Sequence, residues 1–424
     1  MTKSLSRPAI ALLLAIATSA PQAFAQSLAN RIASASDRSV QFSYPVRPGV
    51  CGDGRTYIST GSGNFYGSSN NSADQCLAGP VRVVADLADR NVIALRTYVG
   101  GAGPAVESGV TNLGTVASTE AADFLIGVAA KADGRVGRDA IFAALLGENV
   151  DLTPRLLDIG RDQNRPLETR RAALSGLVRS DSRQLDRIGS ALVQIATNES
   201  DVQGVRTAAL SALSRLDQGA GIQPLVQLAS SNFTSWVGRE AMTVLARSGD
   251  PRARQFLRSM AQRTDLPDEV QAVALRGLGR QYVTGQDANL LRSIYPRLTG
   301  QRSRDAVLGS LADLGGSENV QWLVGLVRDE KAAPESRRRA LQFLARAGAT
   351  TPSLLALYEP ISDTQMRENL IGVYSRISDK AATDKLVWIA KNEQNPALKR
   401  GAIKALSRNS DPNIRQALQD IVER

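Results

Sequence analysis

The sequence predicts a mainly α-helical solenoid of about nine helical pairs and a terminal half repeat, preceded by a small β-rich domain held by a disulfide. Three observations carry this expectation. A pattern of a basic residue, small residues and two apolar anchors recurs through most of the chain, as at Arg170 to Leu177, Arg206 to Leu213, Arg304 to Leu311, Arg337 to Leu344 and Lys399 to Leu406. The first hundred or so residues are instead dense in Gly, Ser and Asn, with short alternating runs. Both cysteines, Cys51 and Cys76, lie in that early part.

The first 25 residues read as a signal peptide. Lys3 and Arg7 form a positive entry, Ala9 to Ala17 is a short apolar run, and Ala23-Phe24-Ala25 is a cleavage site ahead of Gln26. The apolar run is too short to span a bilayer, and nothing later approaches the roughly 20 apolar residues a spanning helix needs. The expected location is therefore periplasmic or secreted, with no transmembrane segment in the mature chain.

Residues 26–110 are expected to form the small β-rich domain. Ser39 to Tyr44 alternates polar and apolar as a half-buried strand does, and Val81 to Val84 and Val92 to Tyr98 read as a hairpin across Ala85 to Asn91. Gly49 to Ala78 reads as a long surface loop closed by a Cys51 to Cys76 disulfide, the simplest use of an isolated cysteine pair in an oxidising compartment. Closing such a loop contributes on the order of 3 kcal/mol in the chain-entropy model. Gly61-Ser62-Gly63 lacks the Lys-Ser/Thr ending of a phosphate loop. Asp53, Arg55 and Tyr57 sit on turn chemistry, with a small polar site as the alternative. Gly100 to Gly114 reads as a linker.

Residues 111–424 are expected to form the solenoid. The first anchors of successive units are Phe142, Leu174, Leu210, Met242, Leu275, Leu308, Leu341, Ile371 and Ile403, spaced 32, 36, 32, 33, 33, 33, 30 and 32 residues apart. Such regularity is the mark of stacked repeats. Each period holds two apolar helical patterns, a first helix A and a second helix B that carries the anchor. Pro166, Pro267, Pro334 and Pro396 stand where a B helix starts, and Asp250-Pro251 and Asp411-Pro412 where an A helix does. Pro412 to Arg424 offers one amphipathic helix that suits a terminal cap.

Four residues before each anchor stand Arg138, Arg170, Arg206, Gly238, Gln271, Arg304, Arg337, Arg367 and Lys399. Two helices in 30 to 36 residues, a Pro or Asp at helix starts and an Arg entering helix B resemble the HEAT repeat family over about three quarters of the chain. The resemblance implies a surface lined by B helices that binds large partners. It also implies that the recurrent Arg forms a ladder with acids at the turns, for which Asp201, Asp363 and Glu335 are candidates. Arg170, Arg206, Arg304, Arg337, Arg338, Arg367 and Lys399 are thus either ladder residues or a basic face for a partner, and Gly238 and Gln271 interrupt the row.

For function, the leading expectation is a non-catalytic protein-protein interaction scaffold, a monomer in the bacterial envelope or outside the cell. The alternative is an anionic polymer or lipid head groups on a basic face, given a net charge of +10, or +8 without Lys3 and Arg7. Nucleic acid is disfavoured by export and by an aromatic content of 4%. Some HEAT-like proteins, by resemblance, are chromophore lyases or DNA glycosylases. This chain has no His, its two Cys are expected to be paired, and it carries no nucleophile motif, so no catalysis, cofactor or metal is expected. Trp236, Trp322 and Trp388 fall in different units and read as packing residues.

Overall fold

The computed structural model describes residues 27–60, 65–66, 76–101, 109–132, 134–179, 184–280, 284–407 and 418. The expected signal peptide, the Gly61-Ser62-Gly63 run and all but one residue of the expected terminal cap lie outside them. The chain divides into two compact units, one of residues 1–132 and 142–150, the other of 133–141 and 151–424.

In the first unit, α1 (Leu28–Ala33) is followed by β1 (Ser39–Tyr44), β2 (Cys51–Gly52), β3 (Ile58–Ser59), β4 (Phe65–Tyr66), β5 (Val81–Ala88), β6 (Asn91–Val99), β7 (Val110–Thr115) and α2 (Ser118–Ala129). Strands β6, β5, β1 and β7 make one sheet in that order, with β1 antiparallel to β5 and parallel to β7. The alternation of β1 decides its faces: Val40, Phe42 and Tyr44 are fully buried, and the Phe42 ring meets Phe124 of α2 edge-to-face at 5.8 Å. The Tyr44 hydroxyl donates to the Ala143 carbonyl at 2.7 Å.

The hairpin forms with a tighter turn than the sequence implies. Asp89 and Arg90 alone connect β5 to β6, with φ of 48° and 62°, the paired left-handed conformation that matches strand twist. The Gly49 to Ala78 stretch is more than a loop, because β2, β3 and β4 pair in it as a small antiparallel sheet and Cys51 is bonded to Cys76. Backbones approach closely here: a Cβ on Gly52 would stand 2.5 Å from the Tyr57 and Val99 carbonyl oxygens. Gly100 to Gly114 is not simply a linker, since its last five residues begin β7 beside β1. The sequence sets the domain boundary at residue 110, whereas the compact unit also holds β7, α2 and residues 142–150.

Helix α3 (Gly134–Ala144) has residues in both units. The second unit continues with α4 (Thr153–Arg161), α5 (Leu167–Gly176), α6 (Leu185–Thr197), α7 (Gln203–Leu213), α8 (Ile222–Ser231), α9 (Trp236–Leu245), α10 (Pro251–Gln262) and α11 (Asp268–Leu278). After these come α12 (Gly285–Ile294), α13 (Gln301–Leu314), α14 (Ser317–Arg328), α15 (Pro334–Leu344), α16 (Thr351–Leu355), α17 (Thr364–Tyr374), α18 (Lys380–Asn392) and α19 (Pro396–Leu406). The odd-numbered helices from α5 are the B helices, and each packs on the next without a break up to α19. Their anchors from Leu174 to Ile371 are buried, and the small residues at Ala173, Ala209, Ala241 and Ala274 bring neighbouring helices close. Each anchor falls in the second helix of its pair, as the period requires.

Start signals act as their chemistry dictates. The Asp250 carboxylate accepts from the Arg252 N–H at the head of α10, and the Asp363 carboxylate from Met366 at the head of α17. Pro334 and Pro396 occupy the first turns of α15 and α19, where no backbone donor is lost.

Candidate functional site

The basic row four residues before the anchors points into the joint between helices A and B. Arg170 donates to the Gly160 carbonyl at 3.1 and 2.9 Å, Arg206 to Ala196 at 3.0 Å, and Arg337 to Val327 at 3.0 Å. Each of those carbonyls lies ten residues earlier, in the last turn of the preceding A helix, where carbonyls lack helical partners and attract cations. Arg304 and Arg367 make the same kind of bond to Leu298 at 2.9 Å and Ile361 at 2.6 Å, in the connection after the A helix.

Gln271 shows that the position selects a donor rather than a charge, because its amide donates to Ala261 at 3.1 Å and Arg263 at 2.7 Å. Gly238 breaks the row: a Cβ there would stand 2.0 Å from the Asn232 carbonyl oxygen, so no side chain fits. Lys399 is half-buried and its ammonium makes no hydrogen bond or ion pair among the described residues.

The carboxylates at the turns tie one repeat to the one before it. Asp201 grips Arg170 through both oxygens, one contact at 2.8 Å, with each side chain 3% exposed. Asp363 stands 3.8 Å from Arg337, and Glu393 stands 3.6 Å from Arg367. Glu335 does not join this ladder. It binds Arg338 and Arg339 on its own helix, and the bond from Arg338 holds its carboxyl below the ordinary range.

One tie was not legible in the sequence. Asp287 of α12 is wholly buried and accepts from Arg254 at 2.9 Å, Arg258 at 2.6 Å and the Thr284 N–H and hydroxyl at 3.0 and 2.8 Å. Burial acts to raise its pKa, but the bonds from Arg258, Thr284 and Arg254 outweigh it and bring the pKa to about 2.

A second basic row, missed at the level of sequence, lies five residues after the anchors. Arg215, Arg247, Arg280, Arg346 and Arg376 are all exposed, at the ends of α7, α9, α11, α15 and α17, and Asp313 holds the position after α13. Arg346 pairs with Asp313, which shows that neighbouring members of the row reach one another. Arg215 reaches Ser175 at 3.2 Å. Arg247, Arg280 and Arg376 make no side-chain hydrogen bond or ion pair among the described residues. Register was the available signal, because the same count returns an arginine from seven of the nine anchors.

Two shallow cups open on the outward face of the B helices. The first, about 450 Å³, has Met242, Val270 and Val273 as its floor and Arg239, Arg276 and Arg302 at its rim. The second, about 380 Å³, lies between α15 and α17, with Leu341, Val373 and Ile377 below and Arg376 beside it. Asp53 caps its own turn, accepting from the N–H groups of Arg55, Thr56 and Tyr57 at 2.7 to 2.9 Å. Trp236 lies under Arg206 at 4.5 Å, and Trp322 meets Tyr295 edge-to-face at 5.2 Å. Trp388 is 44% exposed, with Lys385 over its ring at 4.2 Å. Among the described residues no group of acids and cysteines is placed to hold a metal, and no helix is long and apolar enough to cross a membrane.

The family model for HEAT repeats matches residues 189–279, which span α6 to α11. No curated protein matches the sequence. Among solved structures, human deoxyhypusine hydroxylase in complex with glycerol is similar at 18% identity, over 57% of this chain and 97% of that one, with a TM-score of 0.28. The complex of CpcE and CpcF of phycocyanin lyase from Nostoc is similar at 16% identity, over 55% and 93%, with a TM-score of 0.30. The homology model of the full-length AP-3 complex follows at 15% identity, over 72% and 57%, with a TM-score of 0.39.

Proposed function

From the premise that this chain carries HEAT repeats, which generally serve as protein-interaction scaffolds, we propose that it is a non-catalytic scaffold that binds a protein partner on the outward face of its B helices. The observation that carries the reading is the pair of apolar cups on that face, each lined by B helices of successive repeats. The periplasm or the cell exterior is the proposed location, a reading supported by the leader-like pattern of residues 1–25 and by the Cys51 to Cys76 bond. Fractionation should recover a chain that begins at Gln26, as a monomer; recovery from the cytoplasm with residues 1–25 intact would count against export.

The second reading, an anionic polymer or lipid head groups, would need a free basic surface. The row of Arg170, Arg206, Arg304, Arg337 and Arg367 is engaged inside the array, so that reading would rest on Arg247, Arg280 and Arg376 instead.

A photo-crosslinking amino acid placed at Thr243 or Gln342, on the B face, tests the scaffold reading against one placed at Gln321, exposed on helix A of α14. In an envelope extract the first two positions should capture one protein and the third should not. Capture from Gln321 alone, or no adduct anywhere, would overturn it.

A further inference from the structure

The geometry points to an acidic peptide segment bearing two spaced apolar side chains as the ligand of the B face, an inference that rests on the scaffold reading above. Charge is the first ground. On the outward face the carboxylates Glu269, Asp305, Asp313 and Glu335 are each paired with an arginine, Arg302, Arg339, Arg346 and Arg338 respectively. Glu240 of α9 and Glu368 of α17 are left without an ion pair, two carboxylates against four unpaired arginines. Arg276 and Arg376, at the two cups, make no side-chain hydrogen bond or ion pair among the described residues, nor do Arg247 and Arg280 beside the first. The unneutralised charge of this face is therefore positive, and it is concentrated at the rims of the cups.

The floors decide between kinds of anion. Met242 and Val270, like Leu341 and Val373, are apolar and nearly buried, with Val273 and Ile377 half-buried at the openings. An acidic polysaccharide would gain nothing from them, and neither cup offers an aromatic ring on which a sugar could stack. A peptide does better: an aliphatic side chain enters the cup while neighbouring Asp or Glu carboxylates meet the guanidinium groups of the rim.

Spacing follows from the array. The first cup centres on α11 and the second lies between α15 and α17, two to three helix steps away. At 8–10 Å per step this is about 20–25 Å. An extended chain rising about 3.3 Å per residue covers it in about six to eight residues.

The test uses the full chain and a fluorescein-labelled synthetic peptide of about twelve residues, Glu and Ser throughout except for two Leu about six apart, read by anisotropy. Saturable binding is expected. Leu→Ser at either position of the peptide, or Arg276→Glu or Arg376→Glu in the protein, should each weaken it about tenfold, and moving the leucines to about three apart should do the same. All four affected side chains are exposed or in the probe, so the melting temperature serves as a check that folding is intact.

Equal binding of the peptide without leucines, or displacement by alginate with the same loss in both Arg variants, would overturn the inference in favour of a polyanion site. Absence of saturable binding up to about 1 mM would also overturn it. If the peptide fails while crosslinks from Thr243 and Gln342 still capture a protein, this inference falls and the scaffold reading stands.

Discussion

At the scale of single residues, the buried carboxylates do the joining. Asp287 holds the guanidinium groups of Arg254 and Arg258 from α10 and the turn before α12, so removing its charge takes the carboxylate from the buried Arg254 and leaves it the Leu278 carbonyl at 2.9 Å. Asp287→Asn should cost about 3 kcal/mol, read as a lower urea midpoint with an unchanged slope. Its folded pKa of about 2 lies below the ordinary aspartate value near 3.9. The sign follows: the stabilisation is complete above about pH 4 and is lost as pH falls toward 2. The wild-type midpoint should therefore fall across that window more steeply than that of Asp287→Asn. Arg170→Ala, which strips Asp201 of its partner, should cost about 3–5 kcal/mol by the same measurement. The sequence made Arg170 and Asp201 visible as a type of pair, because a basic residue recurred at a fixed step. Their partnership across 31 residues was not visible, and Asp287, occurring once, left no periodic trace at all.

At the scale of elements, propensity and capping were readable wherever one chemistry dictated one geometry. Strand β1 could be read from alternation, and the B helices from proline and anchor spacing. Strand β7 could not, because Val110 to Thr115 contains Gly114 and only a weak alternation, and its place is set by pairing with β1 rather than by its own pattern. The hairpin turn was placed too broadly for a related reason: neither Asp89 nor Arg90 is the glycine that left-handed conformations favour. Arg90→Gly should therefore stabilise the first unit by about 0.5–1 kcal/mol, visible as a higher melting temperature. Reduction of the Cys51 to Cys76 bond should lower the stability of the same unit by about 3 kcal/mol and leave the helical unit's transition in place.

At the scale of the whole chain, the period alone identified a repeat array, since each pair of helices buries its apolar face only against its neighbours. What the period could not say was which way each basic row faces. Both rows recur at a fixed step from the anchor. The one at four residues before it meets A-helix carbonyls, while the one at five after it meets solvent, and that difference depends on helical phase and on the carbonyls left unpaired at each A-helix end. On this division rests the proposal that the inner row holds the array together and the outer row serves binding.

Combined Arg247→Glu, Arg280→Glu and Arg376→Glu substitution tests that claim most directly, with partner capture from an envelope extract and the melting temperature read on the same preparation. Capture should be lost while the melting temperature stays at the wild-type value. Capture at the wild-type level, or a fall in melting temperature as large as that of Arg170→Ala, would contradict it.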